Sequence, residues 1–279
     1  MQPDQVKKID NSIVQHGPAN DRVYLMKLSH DDLPDIVGKV YDLGRQHGYT
    51  KLFAKVSADA APHFTKYGFV DEARVPNMYK GESAGLFMCK YLDQDRSVPG
   101  NITRISEVLN CAEGQDTVPA PSGSEVRIER LRLGDVEALA ALYDTVFETY
   151  PFPMHDPNFV RECMEDETVF FGIYSEDKLV AAASAEMDTD WQCAEMTDFA
   201  TLPEYRGNGA ATHLLYHMED ALADLDIHTL YTIARAESFG MNIVFSRCGY
   251  TFGGTLHNNT QIAGKLESMN VWHKQIGTR

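Results

Sequence analysis

The run Glu195-Met-Thr-Asp-Phe-Ala-Thr-Leu-Pro-Glu-Tyr-Arg-Gly-Asn-Gly-Ala-Ala-Thr-His-Leu-Leu215 brings together residue types able to hold an anion. It reads as a strand, a tight glycine turn and a helix. Arg206, Gly207, Asn208, Gly209, Ala210 and Ala211 form the turn. Such a turn leaves several backbone N–H groups unpaired at a helix N-terminus, where the helix dipole also favours negative charge. Only very small residues let a pyrophosphate come close to the backbone, which accounts for the glycines and alanines. The segment therefore predicts a phosphate-bearing cofactor and places it.

The surrounding elements must hold this turn against a sheet. Glu125-Val-Arg-Ile-Glu-Arg-Leu-Arg132 alternates like a strand. Gly134-Asp135 opens a helix in which Val136, Leu139, Ala140, Leu142, Tyr143 and Phe147 fall at helical spacing. The proline-punctuated Thr149-Tyr-Pro-Phe-Pro-Met-His-Asp-Pro157 breaks it, and a second helix covers 158–165. Strands follow at 169–174 and 179–188, joined by a Ser-Glu-Asp-Lys turn, and then at 195–201. The helix after the glycine turn runs to about Leu225 on an apolar stripe of Leu214, Leu215, Met218, Ala221, Leu222 and Leu225. A strand at 229–234, a helix at 239–247 and strands near 250–256 and 267–273 close the chain. This order, β-α-α-β-β-β-α-β-α-β-β, predicts an α/β domain with a mixed sheet over 125–279.

Residues 111–124 hold Gly, Pro, Ala and Ser without apolar periodicity and read as a linker. Residues 1–110 before it form a smaller α/β unit. Within that unit Leu52-Phe-Ala-Lys-Val-Ser57 and Phe64-Thr-Lys-Tyr-Gly-Phe69 echo Leu230-Tyr-Thr-Ile-Ala-Arg235 and Phe245-Ser-Arg-Cys-Gly-Tyr250. Residues 20–96 are thus expected to be a degenerate half-copy of the second unit. They lack a turn comparable to 206–211, so no cofactor is expected there.

A chain of 279 residues is long for one domain and comfortable for two, and 43% hydrophobic content supports real cores. The N-terminus has no apolar core of a signal peptide, and runs such as Leu179 to Ala185 are too short to span a bilayer. Five scattered cysteines without a C-x-x-C pair predict a reduced, cytoplasmic protein with buried thiols. Residues 1–110 carry 14 acidic and 14 basic side chains, so the net charge of −16 belongs to the rest. Two units with different jobs are implied. An acidic field repels nucleic acid and attracts cationic ligands, or serves solubility alone.

Residues 125–275 resemble the GNAT superfamily of acyl-CoA-dependent N-acetyltransferases. The resemblance rests on Arg206-x-x-Gly209-x-Ala211, on Leu202-Pro-Glu-Tyr-Arg-Gly207 before it, and on Asn242 with Phe245-x-x-x-Gly249-Tyr250. Most of the chain further resembles the β-lysine N-acetyltransferases of bacteria and methanogenic archaea. That likeness is carried by Val146 to Pro157, Met196-Thr-Asp-Phe-Ala-Thr-Leu-Pro203, Ala234-Arg-Ala-Glu-Ser-Phe-Gly-Met-Asn242, Leu266-Glu-Ser-Met-Asn-Val-Trp272 and Tyr67 to Pro76. It implies a GNAT fold in the second unit, acetyl-CoA as cosubstrate and no metal. It also implies acetylation of the ε-amino group of β-lysine to Nε-acetyl-β-lysine, a compatible solute or osmolyte. Other readings are a different diamine, a polyamine or a peptide amine as acceptor, or a non-catalytic acetyl-CoA sensor.

Acetyl transfer needs the thioester held, its carbonyl polarised and the acceptor ammonium deprotonated. Arg206 to Ala211 would hold the pyrophosphate. The 195–201 strand should splay from its neighbour, with Phe199, Ala200 and Thr201 on the cofactor side and an N–H near Ala200 or Thr201 polarising the carbonyl. The resemblance makes Asn242 a hydrogen-bonding partner of the cofactor arm and places Phe245 against pantetheine. Many family members have Tyr where Phe245 stands, and its hydroxyl serves as acid for the leaving thiolate. Tyr250, Tyr231 or Ser246 would have to substitute, or the thiolate leaves unassisted. A lysine-type ammonium arrives protonated and calls for a carboxylate base. Glu195 aligns with the base position of related histone acetyltransferases. Asp198 lies on the opposite face unless a bulge upsets the parity. Glu186 and Glu237 are further candidates. Tyr150, His155 and Asp156 in the broken-helix segment, with Asp198, Arg235 and Glu237, are the expected acceptor-binding residues. His213 and His217 have helical spacing for zinc but no evident third ligand. Trp191 and Trp272 read as packing residues. The first unit is left with three roles: covering the acceptor site, forming a homodimer, or stabilising the second.

Overall fold

A computed structural model describes residues 4–121, 126–148, 150, 152–166 and 168–277. Residues 122–124 of the expected linker, Glu125 of the expected strand, and Thr149 and Pro151 of the helix break lie outside the described residues. The first half contains strands β1 (Gln5–Ile9), β2 (Ser12–Gly17) and β3 (Arg22–Lys27), helix α1 (Asp35–His47), β4 (Lys51–Ser57), α2 (Ala61–Thr65), β5 (Val70–Tyr79), β6 (Ser83–Tyr91) and α3 (Ile102–Glu113). The second contains β7 (Arg127–Arg130), α4 (Val136–Val146), α5 (Pro157–Glu165), β8 (Thr168–Ser175), β9 (Lys178–Asp188) and β10 (Cys193–Thr201). It continues with α6 (Ala210–Ala223), β11 (Thr229–Arg235), α7 (Phe239–Arg247), β12 (Thr251–Ile262) and β13 (Lys265–Gln275).

All thirteen strands join one sheet in the order β1-β2-β3-β4-β6-β5-β12-β13-β11-β10-β9-β8-β7. The order is nearly a mirror about the β5–β12 junction. In each half two antiparallel strands lead to a parallel pair, β3 with β4 and β10 with β11. In each half the last strand then inserts beside the parallel pair, β6 next to β4 and β13 next to β11. The short echo between residues 52–69 and 230–250 is therefore the visible part of a repeat that takes in β1–β6 and β8–β13. The first half lacks counterparts of β7, α4 and α5.

The junction is a single ladder pair, Gly254 with Ala73. Gly254 has φ +141°, and a Cβ there would stand 2.2 Å from the Glu72 carbonyl oxygen. Only glycine permits this approach. Beyond it, the end of β12 is clasped by the first half. The Lys51 ammonium donates to Glu72 at 2.7 Å and to the His257 carbonyl at 2.7 Å, and Gln261 N–H donates to Asn20 at 2.7 Å. Arg96 and Asn258 exchange further bonds at 3.1 and 2.8 Å.

Period-two alternation gives each half two faces. Val23, Leu25, Leu52, Ala54 and Val56 turn toward Ile36, Val37 and Val40 of α1. The alternate residues, Tyr24, Phe53 and Phe87, turn toward Tyr231, Leu256 and Val271 of the second half. The halves thus meet face to face over a shared core, where burying each large apolar side chain contributes about 1.5–3 kcal/mol. Two expectations shift at the connection. Cys111 to Glu113, read as the start of the linker, are the last turn of α3, which packs on α7. The segment after it is docked: Val118 N–H donates to the Arg247 carbonyl at 2.8 Å, and Ser246 Oγ donates to Ala112 at 2.6 Å.

Candidate active site

The glycine turn ends β10 and starts α6. Gly207 and Gly209 have φ +84° and +76°, left-handed conformations that glycine alone adopts without strain. Residues 206–209 are exposed, and a Cβ on Gly207 would meet nothing within 4 Å. The first intrahelical bond is donated by His213 to Gly209, so the N–H groups of Gly209, Ala210, Ala211 and Thr212 have no partner within the helix. The Arg206 Nε–H donates to the Thr201 carbonyl at 3.1 Å, which fixes the guanidinium beside the turn. This backbone cradle fits the pyrophosphate of acetyl-CoA.

β10 leaves β11 where the acceptor chemistry is expected. Their ladder covers only Cys193 to Glu195 against Thr229 to Tyr231, and the strands separate after that. Phe199, Ala200 and Thr201 lie beyond the split, with Ala200 and Thr201 still paired to Ala182 and Ala181 of β9. Between Thr197 and Ala200 the register slips by one residue, and Asp198 takes φ +53°. This is a β-bulge, and it reverses the parity expected for Asp198. The Asp198 carboxylate accepts from Ser184 and from the Tyr150 hydroxyl. Ser184 shares its face of β9 with Glu186, and Glu186 stands directly opposite Glu195. Three carboxylates therefore gather on one face.

Their charges resist one another. Burial raises the Glu195 carboxyl above the ordinary range, with Asp198 adding to the rise and Lys55 and the Tyr231 hydroxyl opposing it. Glu186 is raised by the crowding of protein around it and then by Glu195 and Asp198. It nonetheless meets solvent, so it lines an open hollow rather than the core. Burial also raises Asp198, against the pull of its bonds from Ser184 and Tyr150. Cys163 of α5 is pushed up to about 12 by burial and by the charges of Glu186 and Asp198, which places α5 beside the same hollow.

The opposite wall comes from the first half. The Lys55 ammonium of β4 donates to the Tyr231 hydroxyl at 2.8 Å and lies over the Tyr231 ring. An ammonium has no lone pair to accept with, so Tyr231 must direct its own hydrogen elsewhere, toward the Glu195 carboxylate it bonds. A directed chain runs Lys55 to Tyr231 to Glu195. Tyr24 of β3 lies near enough for Glu195 and Glu186 to raise its hydroxyl further after burial has done so. The nearest sequence-level signal was the echo of Leu52 to Ser57 with Leu230 to Arg235, which places Lys55 and Ile233 at matching strand positions without bringing them together.

Several expected site residues are committed elsewhere. Asn242 is fully buried and saturated. Its Nδ2 donates to the Arg235 and Ser238 carbonyls at 2.9 and 2.6 Å, and its Oδ1 accepts from Asn270 and Trp272 at 2.9 and 2.8 Å. No donor or acceptor is left for a cofactor arm. Phe245 is 1% exposed, packed edge-on between Phe199 and Tyr250, so Phe199 rather than Phe245 faces outward. Arg235 is held by Glu267 through bonds of 2.8 and 2.7 Å, and Glu237 pairs with Asn101 on the surface. Arg235 stands four residues along β11 from Tyr231, a rise of about 13 Å. Asp156 caps α5 by accepting from the Asn158 N–H at 2.9 Å, while His155 is exposed. Of the three expected broken-helix residues, Tyr150 is the one that bonds a site carboxylate, Asp198. Of the substitutes for the missing tyrosine acid, Ser246 bonds Ala112, Tyr231 belongs to the Lys55 chain, and Tyr250 is buried beside Glu219. Trp272 packs in the core, and Trp191 sits edge-on to Tyr79 between the halves. Among the described residues no group of three or more His, Cys, Asp and Glu side chains is placed to hold a metal ion, His213 and His217 included. Among the described residues no helix is long and apolar enough to cross a membrane.

Residues 137–250 match the model of the acetyltransferase (GNAT) family. A β-lysine N(6)-acetyltransferase of Methanococcus maripaludis is 38% identical over 97% of this chain and 98% of its own length. The N-acetyltransferase YodP of Bacillus subtilis is 33% identical over 95% of this chain and 96% of its own. Among solved structures, the ribosomal-protein-S18-alanine N-acetyltransferase of Escherichia coli is similar at 18% identity and a TM-score of 0.49, covering 55% of this chain and 96% of that one. With a glycine cradle at the start of α6, a parted β10–β11 pair and relatives that match over nearly its whole length, the chain belongs to the GNAT family and is an acetyl-CoA-dependent N-acetyltransferase.

Proposed function

We propose that this enzyme acetylates the ε-amino group of β-lysine. The observation that carries the reading is the juxtaposition, in one hollow, of the Glu186–Glu195–Asp198 carboxylates with the Lys55 ammonium. An acceptor with two amines and a carboxylate matches that arrangement of charge, and the Methanococcus maripaludis relative, a β-lysine N(6)-acetyltransferase, takes the same acceptor. Acetyl-CoA supplies the acyl group as a thioester.

The chain's own residues do the rest. The N–H groups of Gly209 to Thr212 and Arg206 bind the pyrophosphate. The free edge of β10 receives the pantetheine arm, and an N–H near Ala200 or Thr201 donates to the carbonyl oxygen as negative charge develops on it. Glu186 and Glu195 draw the ammonium in, and Glu195 takes its proton. A carboxylate raised by burial is a stronger base than one in water, so it is suited to this step. With Phe245 unable to donate, Ser246 and Tyr231 engaged and the Tyr250 hydroxyl buried, the thiolate leaves unassisted, which a thiol pKa of about 8.5 allows. The product Nε-acetyl-β-lysine keeps one ammonium and one carboxylate and has no net charge, which suits a solute accumulated against salt.

The test is acetyl-CoA turnover, read by free-thiol release and product mass, against β-lysine, α-lysine, ornithine and spermidine. A single acetyl group on the ε-nitrogen of β-lysine, at the highest kcat/KM of the four, is expected. Preference for any of the other three would keep the acetyltransferase and discard this acceptor.

A further inference from the structure

We infer that Lys55, supplied by the non-cofactor half, is a specificity-determining residue that receives the carboxylate of an amino-acid acceptor and so excludes simple polyamines. The inference rests on the β-lysine reading above and adds the group that recognises the acid end.

Lys55 lies on the face of β4 that meets the second half, between Phe53 and Ser57 in the period-two alternation. An ammonium carries three N–H donors. Among the described residues one of them is spent on Tyr231, and no carboxylate lies within ion-pair distance of Lys55. Two donors and most of a unit charge therefore remain in a half-buried position. Leaving such a charge without a close counter-ion is costly, and an incoming carboxylate relieves that cost. The surroundings hold the group charged. Burial pulls its pKa down, but Tyr231, Tyr24 and Glu195 outweigh this and raise it well above the usual lysine value.

A small hollow between the halves is lined by Lys55 with Ser57, Tyr79, Trp191, Cys193 and the Lys27–Asp188 ion pair, so Lys55 is the unpaired cation there among the described residues. Cys193 stands two residues before Glu195 on the same face of β10, so this hollow adjoins the carboxylate row. Lys55 is the wall common to both. An acceptor entering with its ε-ammonium at Glu195 thus meets an anion first and a cation next, the charge sequence of a diamino acid. A polyamine presents a further ammonium where Lys55 stands and is repelled. Arg235, the cation expected from the sequence to do this work, is already paired with Glu267.

The experiment compares kcat/KM for β-lysine and for 1,4-diaminopentane, which is the same carbon chain without the carboxylate, in the wild type, Lys55→Gln and Lys55→Arg. The wild type should prefer β-lysine. Lys55→Gln should lower its kcat/KM about 10- to 100-fold, mostly through KM, as expected for loss of a charge-assisted bond. Diaminopentane should lose only what both substrates lose through Tyr231 and Glu195, so the ratio of kcat/KM for β-lysine to that for diaminopentane should fall about 10-fold or more, and Lys55→Arg should keep part of the preference. β-Lysinamide, used with the wild type, asks the same question without any variant and should be a poor acceptor. Equal loss on β-lysine and diaminopentane would overturn the inference, because Lys55 would then act only through Tyr231 and Glu195. Equal use of β-lysine, its amide and diaminopentane by the wild type would overturn it as well. A wild type that acetylates none of the three would instead bring down the β-lysine reading, and the inference with it.

Discussion

Replacing Asn242 separates a scaffold role from a cofactor role. The side chain sits at 0% exposure and bridges three elements: the end of β11 through the Arg235 carbonyl, the start of α7 through Ser238, and β13 through Asn270 and Trp272. Asn242→Ala strips a partner from each of these four groups. The two carbonyls can find other donors as the loop relaxes, but Asn270 Nδ2 and Trp272 Nε1 belong to fully buried side chains. Each buried donor left unmet costs about 1–3 kcal/mol, so the variant should lose about 2–6 kcal/mol. At about 2–4 °C per kcal/mol for a chain of this size, Tm should fall by roughly 5–20 °C. Asn242→Asp should lose at least as much, since its second oxygen would face two carbonyl oxygens. The assay is thermal unfolding followed by circular dichroism, paired with the KM for acetyl-CoA well below the transition. The KM should be nearly unchanged. An unchanged Tm with a large rise in that KM would refute the reasoning and return Asn242 to the cofactor.

Glu195→Gln should depress turnover most near neutral pH and recover as pH rises and free amine increases; a loss of equal size at every pH would assign Glu195 to positioning. In the wild type the acid limb should lie above the ordinary carboxylate range, because the base must be ionised and burial raises both Glu195 and Glu186. Gly209→Glu places a side chain at φ +76° and a negative charge at the mouth of the cradle, so acetyl-CoA affinity should fall at least about tenfold; unchanged affinity in a folded protein would remove the turn from cofactor binding. Glu186→Gln should stabilise the unliganded protein. The folded-state pKa of Glu186 is raised, so its ionisation destabilises the fold as pH rises through that value, and the penalty vanishes below the unfolded-state value. Its Tm should therefore exceed that of the wild type at about pH 8 and match it near pH 4; the opposite order would mean that Glu186 is stabilised by its neighbours.

What the sequence could reveal was whatever is local. The strand, turn and helix of 195–223 are legible because small residues, a left-handed turn and an apolar stripe all fall within one stretch of chain. Glu195 is singled out only by resemblance, since nothing within its own stretch separates it from the other carboxylates. The face of Asp198 stays open in the sequence because a bulge depends on how two strands pair, and nothing within Glu195 to Thr201 announces it. Asn242 marks its segment correctly, but its partners Asn270 and Trp272 lie about one strand and one turn further on, so a motif position looked like a ligand. Lys55 was invisible. It is one of several lysines in a neutral first unit, 140 residues before Glu195, and acquires meaning only when two half-sheets meet through Gly254 and Ala73.

The mirror-like order of the sheet has a consequence for how the hollow is assembled. A site whose walls come from two separate molecules loses one wall on dilution. Here both halves of the sheet belong to one polypeptide, so the wall bearing Lys55 is presented at an effective concentration set by the connecting chain rather than by the amount of protein. Acceptor selection can then stay constant whether the enzyme is scarce or abundant. Among the described residues the first half has no counterpart of the glycine turn, so on the proposed reading what it brings to the reaction is a surface, delivered in a fixed register, against which the second half works.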